Sequence, residues 1–218
     1  MTDFSINCRR CERLATFLDE VRARHPDYHA KPVPSFGDPA ARLLVVGLAP
    51  GMHGANATGR PFTGDHAGIL LYTTLHRLGF ASQAEATAID DGLELIDCRI
   101  TNAVRCLPPQ NKPVGAEVNE CNDYLRQEIE GLAAGSIVLA LGGLAHKAVI
   151  KALGLRQADH KFDHGSDFEL PGRRRLLSSY HCSRYNTQTR RLTPEMFEAV
   201  FARAKQHLAA MDANSLVA

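Results

Sequence analysis

The apolar and polar positions divide the chain into short, fully apolar runs separated by longer amphipathic stretches. Leu43-Leu44-Val45-Val46 is one such run, with β-branched residues at 45 and 46. It predicts a strand over 42–47 that is covered on both faces, as in a parallel sheet. Cys98 to Val104 (CRITNAV), Ile137 to Leu141 and Arg175 to Ser179 predict three more strands. Between them lie helical spacings: Ile69, Leu70, Leu71, Leu75 and Leu78, stopping at Gly79; a polar helix over 116–132; and another over 145–153. Thr193-Pro194-Glu195 places a capping residue and a proline where a helix running to about Met211 should begin. Near the start, Leu14, Phe17, Leu18 and Val21 predict a helix ending at Arg24. Pro26, Pro32, Pro34, Gly37 and Pro39 then allow only an extended arm. Residues 81–95 read as a helical or irregular crossover, and 155–170 as a loop with weak strand character. Strands alternating with helices imply a right-handed parallel α/β sheet, in a single domain over 1–218 with an N-terminal arm over 1–40.

One stretch fits neither period. Gly47 to Asp65, GLAPGMHGANATGRPFTGD, has too many glycines for helix or ladder and is too long for an ordinary connection. A long shaped loop at the end of a buried strand predicts the active site, because open α/β sheets bind ligands beyond the carboxyl ends of their strands. Phe62, Asp65, Asn102 and His181 all fall at such ends. Each also has a plainer reading: Asp65 as a helix N-cap, Phe62 as a core plug, Asn102 as a loop cap, and His181 as a satisfied buried histidine.

Composition narrows the picture. With 218 residues and 44% hydrophobic content the chain can bury a substantial core. No run approaches the roughly 18 apolar residues of a membrane span, and MTDFSINCRRCER lacks a signal-peptide core, so a cytoplasmic protein is expected. A formal net charge of +1 gives no overall pull toward nucleic acid. Local clusters must supply any: Arg173-Arg174-Arg175, Arg190-Arg191 and Arg60 are the candidates.

Six cysteines in such a chain are not a disulfide framework. Cys8 and Cys11 form a CxxC pair on the arm, and Cys106 and Cys121 a second pair on the body. Together they suggest a four-thiolate site clipping the arm to the domain, filled by a [4Fe-4S] cluster or by zinc. Plain reduced thiols are the alternative, and Cys98 is read as core.

The loop GLAPGMHGANATGRPFTGD, TNAVRCLPP at 101–109 and HCSRYNTQTRRLTPEMF at 181–197 resemble the motifs of the uracil-DNA glycosylase superfamily. The resemblance is strongest to the family 5 enzymes, and the four cysteines look like the cluster ligands of families 4 and 5. It implies an α/β/α sandwich with a four-stranded parallel sheet. It also implies hydrolysis of the N-glycosidic bond of a damaged base in DNA.

By that resemblance Gly47 and Ala49 border the substrate, Phe62 stacks on the flipped base, Asn102 reads its O4 and N3–H edge, and His181 donates to O2. No carboxylate follows Gly47, so by the resemblance Asp65 takes over at the water or the cationic sugar, and Asn56, Thr58 and His53 in the same loop are candidates to share the task. This departure predicts activity beyond uracil. Cys182 stands where proline is common, which leaves the loop less rigid. Arg184, Tyr185 and Asn186 are candidates for the wedge and for backbone contacts, with Arg60 on the rim.

The expectation is a monomeric, monofunctional glycosylase acting on damaged DNA at the nucleoid, since no lysine occupies a motif position for a Schiff base. The rival readings are an α/β nucleotide hydrolase, although neither GxxxxGK[ST] nor GxGxxG is present, and a non-catalytic iron–sulfur protein that binds nucleic acid.

Overall fold

The computed structural model of the chain describes residues 4–215. Six strands form one sheet: β1 (Phe36–Gly37), β2 (Leu43–Gly47), β3 (Cys98–Asn102), β4 (Ile137–Leu141), β5 (Asp167–Leu170) and β6 (Arg174–Ser179), ordered β1-β3-β2-β4-β6-β5. The inner four run parallel, and each edge strand is antiparallel to its neighbour. The expected four-stranded parallel sheet is thus corrected to a mixed sheet of six. The two edges were hard to read for a physical reason. β1 is a two-residue strand between Pro34 and Pro39, and proline confines pairing to edges. β5 buries only Leu170 fully, so it carries little apolar signal.

Alternate residues of β2 feed two separate cores. Leu43 and Val45 pack with α3 (His66–Arg77) and α7 (Pro194–Ser215), while Leu44 and Val46 pack with α4 (Gly115–Gly131) and α5 (Gly143–Ala152). Two helical layers around a twisted parallel centre are the outcome of strands that are apolar on both faces. Helix α1 (Glu12–Arg24) builds a third cluster, packing Leu14, Leu18 and Val21 against Val104, Cys106, Leu107 and Cys121.

The arm after α1 is held along its length. Its backbone N–H groups at His29 and Ala30 donate to the carbonyls of Ala57 and Asn56, at 2.9 and 3.0 Å, and that of Val33 donates to Arg105 at 2.7 Å. Ser35 joins a buried network in which Glu128 accepts from Ser35, Arg99, Thr101 and Arg105. The arm therefore braces the long loop directly. Residues 81–95 are irregular, closed by a single bridge between Ala81 and Leu95.

Two short helices sit where loop was expected. The four-residue α2 (Ala55–Thr58) lies inside the glycine-rich stretch, ended by Gly59 at φ 81°, and α6 (Arg184–Gln188) opens on Ser183, whose hydroxyl accepts from Asn186 N–H. Single turns of helix leave no periodicity to read.

Candidate active site

Gly47 and Asn102 are register partners at the carboxyl ends of adjacent parallel strands. A β-carbon on Gly47 would lie 2.3 Å from Asn102 Oδ1 and 2.7 Å from Phe62 Cζ, so only glycine lets the amide and the ring meet over the strand end. Phe62 itself adopts φ 54°, a left-handed conformation that a bulky residue keeps only when its surroundings over-determine it. They do so here. The Tyr72 hydroxyl donates to the carbonyl of Pro61 at 2.7 Å, and Gly68 of α3 makes room for the carbonyl of Phe62.

Asp65 is the N-cap of α3, its Oδ1 accepting the Gly68 N–H at 2.9 Å. Its Oδ2 faces Gly54 and Gly51, where β-carbons would stand at 2.6 and 3.6 Å. One oxygen thus serves the helix and the other is turned toward the loop. Burial pushes the carboxyl above its ordinary range, over the opposing pull of the Gly68 and Ala67 N–H groups.

His181 follows β6, with its ring centroid 6.0 Å from that of Phe62 and tilted by 31°. Burial alone drives its pKa down to about 4, so the imidazole is neutral at physiological pH. Asn186 Nδ2 donates to its carbonyl at 2.8 Å.

These side chains line one cavity of about 320 Å³, together with Ala49 and Asn111. Asn102 Oδ1 is buried there without a hydrogen-bond partner among the described residues. An acceptor so placed is costly unless a ligand donates to it. Asn111 was missed from the sequence. It ends a short turn over 109–111 in which Gln110 and Asn111 both have φ 57°, and a proline-bounded Asn is the only signal that could have marked it.

Other candidates lie elsewhere. Asn56 is fully buried behind the cavity wall, its amide donating to the Met52 carbonyl at 3.4 Å. The Thr58 hydroxyl binds loop carbonyls, and His53 Nδ1 bonds the Tyr28 hydroxyl at 2.8 Å. Arg60, expected on the rim, is instead 3% exposed and paired with Asp91 at 2.6 and 2.9 Å, because a half-buried carboxylate 31 residues away captures it. Arg173, Arg174 and Arg175 stand at the amino end of β6, opposite the cavity. Arg174 donates to the carbonyls of Glu130 and Leu132, and Arg175 pairs with Asp167. Nearby, Arg184 borders an adjoining cavity that shares Asp65, Arg191 borders one that shares Leu48 and His181 and lies 4.7 Å over the Tyr180 ring, and Tyr185 is 70% exposed on α6.

The four cysteines of the arm and body converge. Cys11, Cys106 and Cys121 share the cluster built on α1, and Cys8 Sγ lies 3.7 Å from the Tyr124 hydroxyl. Burial pushes the Cys11 thiol up to about 11, with Cys121, Cys8 and two glutamates adding to the rise. Cys106 is raised by burial and by the other three thiols. Among the described residues no three His, Cys, Asp or Glu side chains form a group that could hold a metal ion as they stand. Cys98 and Cys182 are buried in the sheet core, apart from this set. No helix among the described residues is long and apolar enough to cross a membrane.

A strand-end cavity with a stacking ring, an unpaired amide oxygen, a neutral imidazole and a buried carboxylate is suited to holding a planar heterocycle by its edge. The family model for the uracil DNA glycosylase superfamily matches residues 34–205. The chain belongs to that superfamily. It is 48% identical over 204 residues to the type-5 uracil-DNA glycosylase of Thermus thermophilus, covering 91% of this chain and 93% of the relative. It is 42% identical to the type-5 enzyme of Pyrobaculum aerophilum, covering 91% and 88%. The type-4 uracil-DNA glycosylase of the same archaeon is 37% identical over 130 residues, covering 59% and 58%. The family resemblance read from the motifs is borne out.

Proposed function

We propose that this chain removes uracil from DNA by hydrolysing the N-glycosidic bond, as a monofunctional glycosylase of the type-5 kind. The observation that carries the reading is Asn102, its Oδ1 buried and unpaired in a cavity walled by Phe62 and His181. The N3–H of a flipped uracil would satisfy that oxygen, while the amide N–H₂ donates to O4. Phe62 supplies the stacking face, worth on the order of 1–3 kcal/mol per base. A cavity of about 320 Å³ admits one base and excludes a duplex.

Negative charge grows on uracil O2 as the bond breaks. A neutral His181 meets it with an N–H placed in advance, which stabilises the leaving group without requiring a protonated ring. Asp65 Oδ2 holds the attacking water or faces the cationic sugar, and its partial desolvation strengthens either role. With Arg60 and Asn56 withdrawn into the structure, Arg184, Tyr185 and Arg191 are the groups left to meet the phosphates and the gap in the stack.

Cys8, Cys11, Cys106 and Cys121 would hold a [4Fe-4S] cluster, with zinc as the alternative. Their convergence from arm and body supports a shared site for the four thiolates. Such a group would act structurally, tying α1 and the arm to α4, and through the arm bracing the loop that carries Phe62 and Asp65. The enzyme would work as a monomer on nucleoid DNA, on uracil and on other deaminated bases.

The test is base release. Incubated with single-uracil, hypoxanthine and xanthine oligonucleotides, the protein should free uracil and leave alkali-labile sites. Binding without release from any of these substrates would replace the enzyme with a nucleic-acid-binding protein.

A further inference from the structure

The backbone around His181 is held from both sides by side chains. On the downstream side this is the Asn186 amide bond to the His181 carbonyl. Upstream, the ladder of β6 continues as far as Ser179. Gly165 N–H donates to the Ser178 carbonyl at 2.7 Å, Ser178 N–H to the Ser166 carbonyl at 3.0 Å, and Gly142 N–H to the Ser179 carbonyl at 2.8 Å. The next N–H, that of Tyr180, is taken up by a side chain. It donates to Nδ1 of His164 at 3.2 Å, and the Ser179 hydroxyl stands 3.4 Å from the same nitrogen.

A peptide N–H can only donate, so Nδ1 of His164 carries no proton and Nε2 does. The backbone of Met196 favours the protonated ring, against the larger opposing effect of burial. The imidazole thus ties the turn before β5 to the end of β6. It is stacked on the Tyr180 ring, centroids 5.1 Å apart and 28° from parallel, with Arg191 over the same tyrosine. Asp163 and Arg203 are the charges that act on it, and Arg203 also donates to the Gly165 carbonyl at 2.8 Å.

We infer that His164 is a positioning residue for His181: its imidazole stands in for the strand that β6 lacks beyond Ser179, and so fixes the Ser179–Tyr180 peptide, one residue before His181. This rests on the reading of His181 as the donor to the departing base. There is little slack to absorb an error, since a β-carbon on Gly142 would already lie 3.3 Å from that of His181. A donor displaced by about 1 Å can cost on the order of 100-fold in rate.

His164→Phe keeps an aromatic ring against Tyr180 but removes the acceptor, whereas His164→Asn returns an acceptor oxygen near the position of Nδ1. His164→Phe should lower kcat for uracil release by about 10- to 100-fold. KM should stay within about threefold, and His164→Asn should recover most of the loss. In ¹⁵N NMR of the intact protein, the His181 ring in His164→Phe should titrate above the wild-type ring measured alongside it, because a loosened loop admits water that offsets the burial lowering this imidazole. An unchanged His181 titration, a kcat within about twofold of wild type, or a His164→Asn no better than His164→Phe would overturn the inference. His181→Ala serves as the separate control. If it kept full turnover, the role of His181 would fall, and the NMR titration alone would decide whether His164 positions it.

Discussion

A β-carbon on Gly68 would lie 1.9 Å from the carbonyl oxygen of Phe62. The first turn of α3 therefore rests directly on the peptide of a residue held at φ 54°, while the Gly68 N–H holds Asp65 Oδ1 at 2.9 Å. One glycine sets both the stacking ring and the carboxylate. Gly68→Ala should move both, with uracil release falling by about 100-fold or more while far-UV circular dichroism is retained. Normal turnover in that variant would mean that the loop tolerates the shift and the close contact is not needed.

Asp65 is at once a cap and a cavity wall, and the two roles separate on substitution. Asparagine caps helices about as well as aspartate, so Asp65→Asn should change stability by less than about 1 kcal/mol. The loss of charge at Oδ2 should cut turnover by on the order of 10²- to 10⁴-fold with DNA binding kept. Were chemical denaturation to report the larger change and kinetics the smaller, Asp65 would be a cap alone.

The pH profile follows from the same two groups. His181, lowered to about 4, gains its proton only in acid, and Asp65, raised by burial, gains its proton above the usual carboxylate range. Protonating Asp65 removes the carboxylate, whereas an imidazolium at His181 still donates an N–H to O2. Turnover should therefore fall on the acid side as Asp65 gains its proton above the ordinary carboxylate range, and show no step near the ordinary histidine value of about 6.5. For stability the sign differs between the two. The buried neutral imidazole leaves stability intact above the unfolded value of about 6.5 and erodes it as pH falls from there toward about 4, whereas the buried Asp65 carboxylate costs stability at neutral pH and is relieved as it protonates. A rate step centred near 6.5 would show that His181 is hydrated.

Arg60 belongs to the scaffold. It is paired with Asp91, whose carboxyl is held well below its usual range by Arg60, over the opposing effect of burial and with help from the N–H groups of Leu93, Thr87 and Ala88. Arg60→Met should leave that charge unpaired and cost about 3–5 kcal/mol, measured by denaturation. The wild-type stabilisation is present above the unfolded aspartate pKa and lost in strong acid. A variant of unchanged stability but weakened DNA affinity would return Arg60 to the phosphate rim.

The cysteine set can be read by eye and by spectrum. Purified under nitrogen, the protein should be brown, with a broad visible band that bleaches on reduction. Chelator treatment should lower the melting temperature if the four thiolates hold a metal group, since the arm that donates to Ala57 and Asn56 would lose its anchor. A colourless protein with stoichiometric zinc would fill the site differently.

From the sequence alone came the four inner strands, the helices between them, and a cavity at the end of Leu43–Gly47. Fully apolar runs and a glycine-rich interruption report burial and backbone freedom locally, without reference to what lies across the fold. The motifs around Gly47, Asn102 and His181 sufficed to name the superfamily. The fate of the charged and marginal residues was decided only in three dimensions. Arg60 was captured by Asp91, the arginines at 173–175 fell at the wrong end of a strand, and the edges β1 and β5 formed against neighbours distant in the chain. A side chain's pattern tells whether it wants burial or water, but an ion pair, a strand edge or the imidazole of His164 under Tyr180 depends on which surfaces folding brings together.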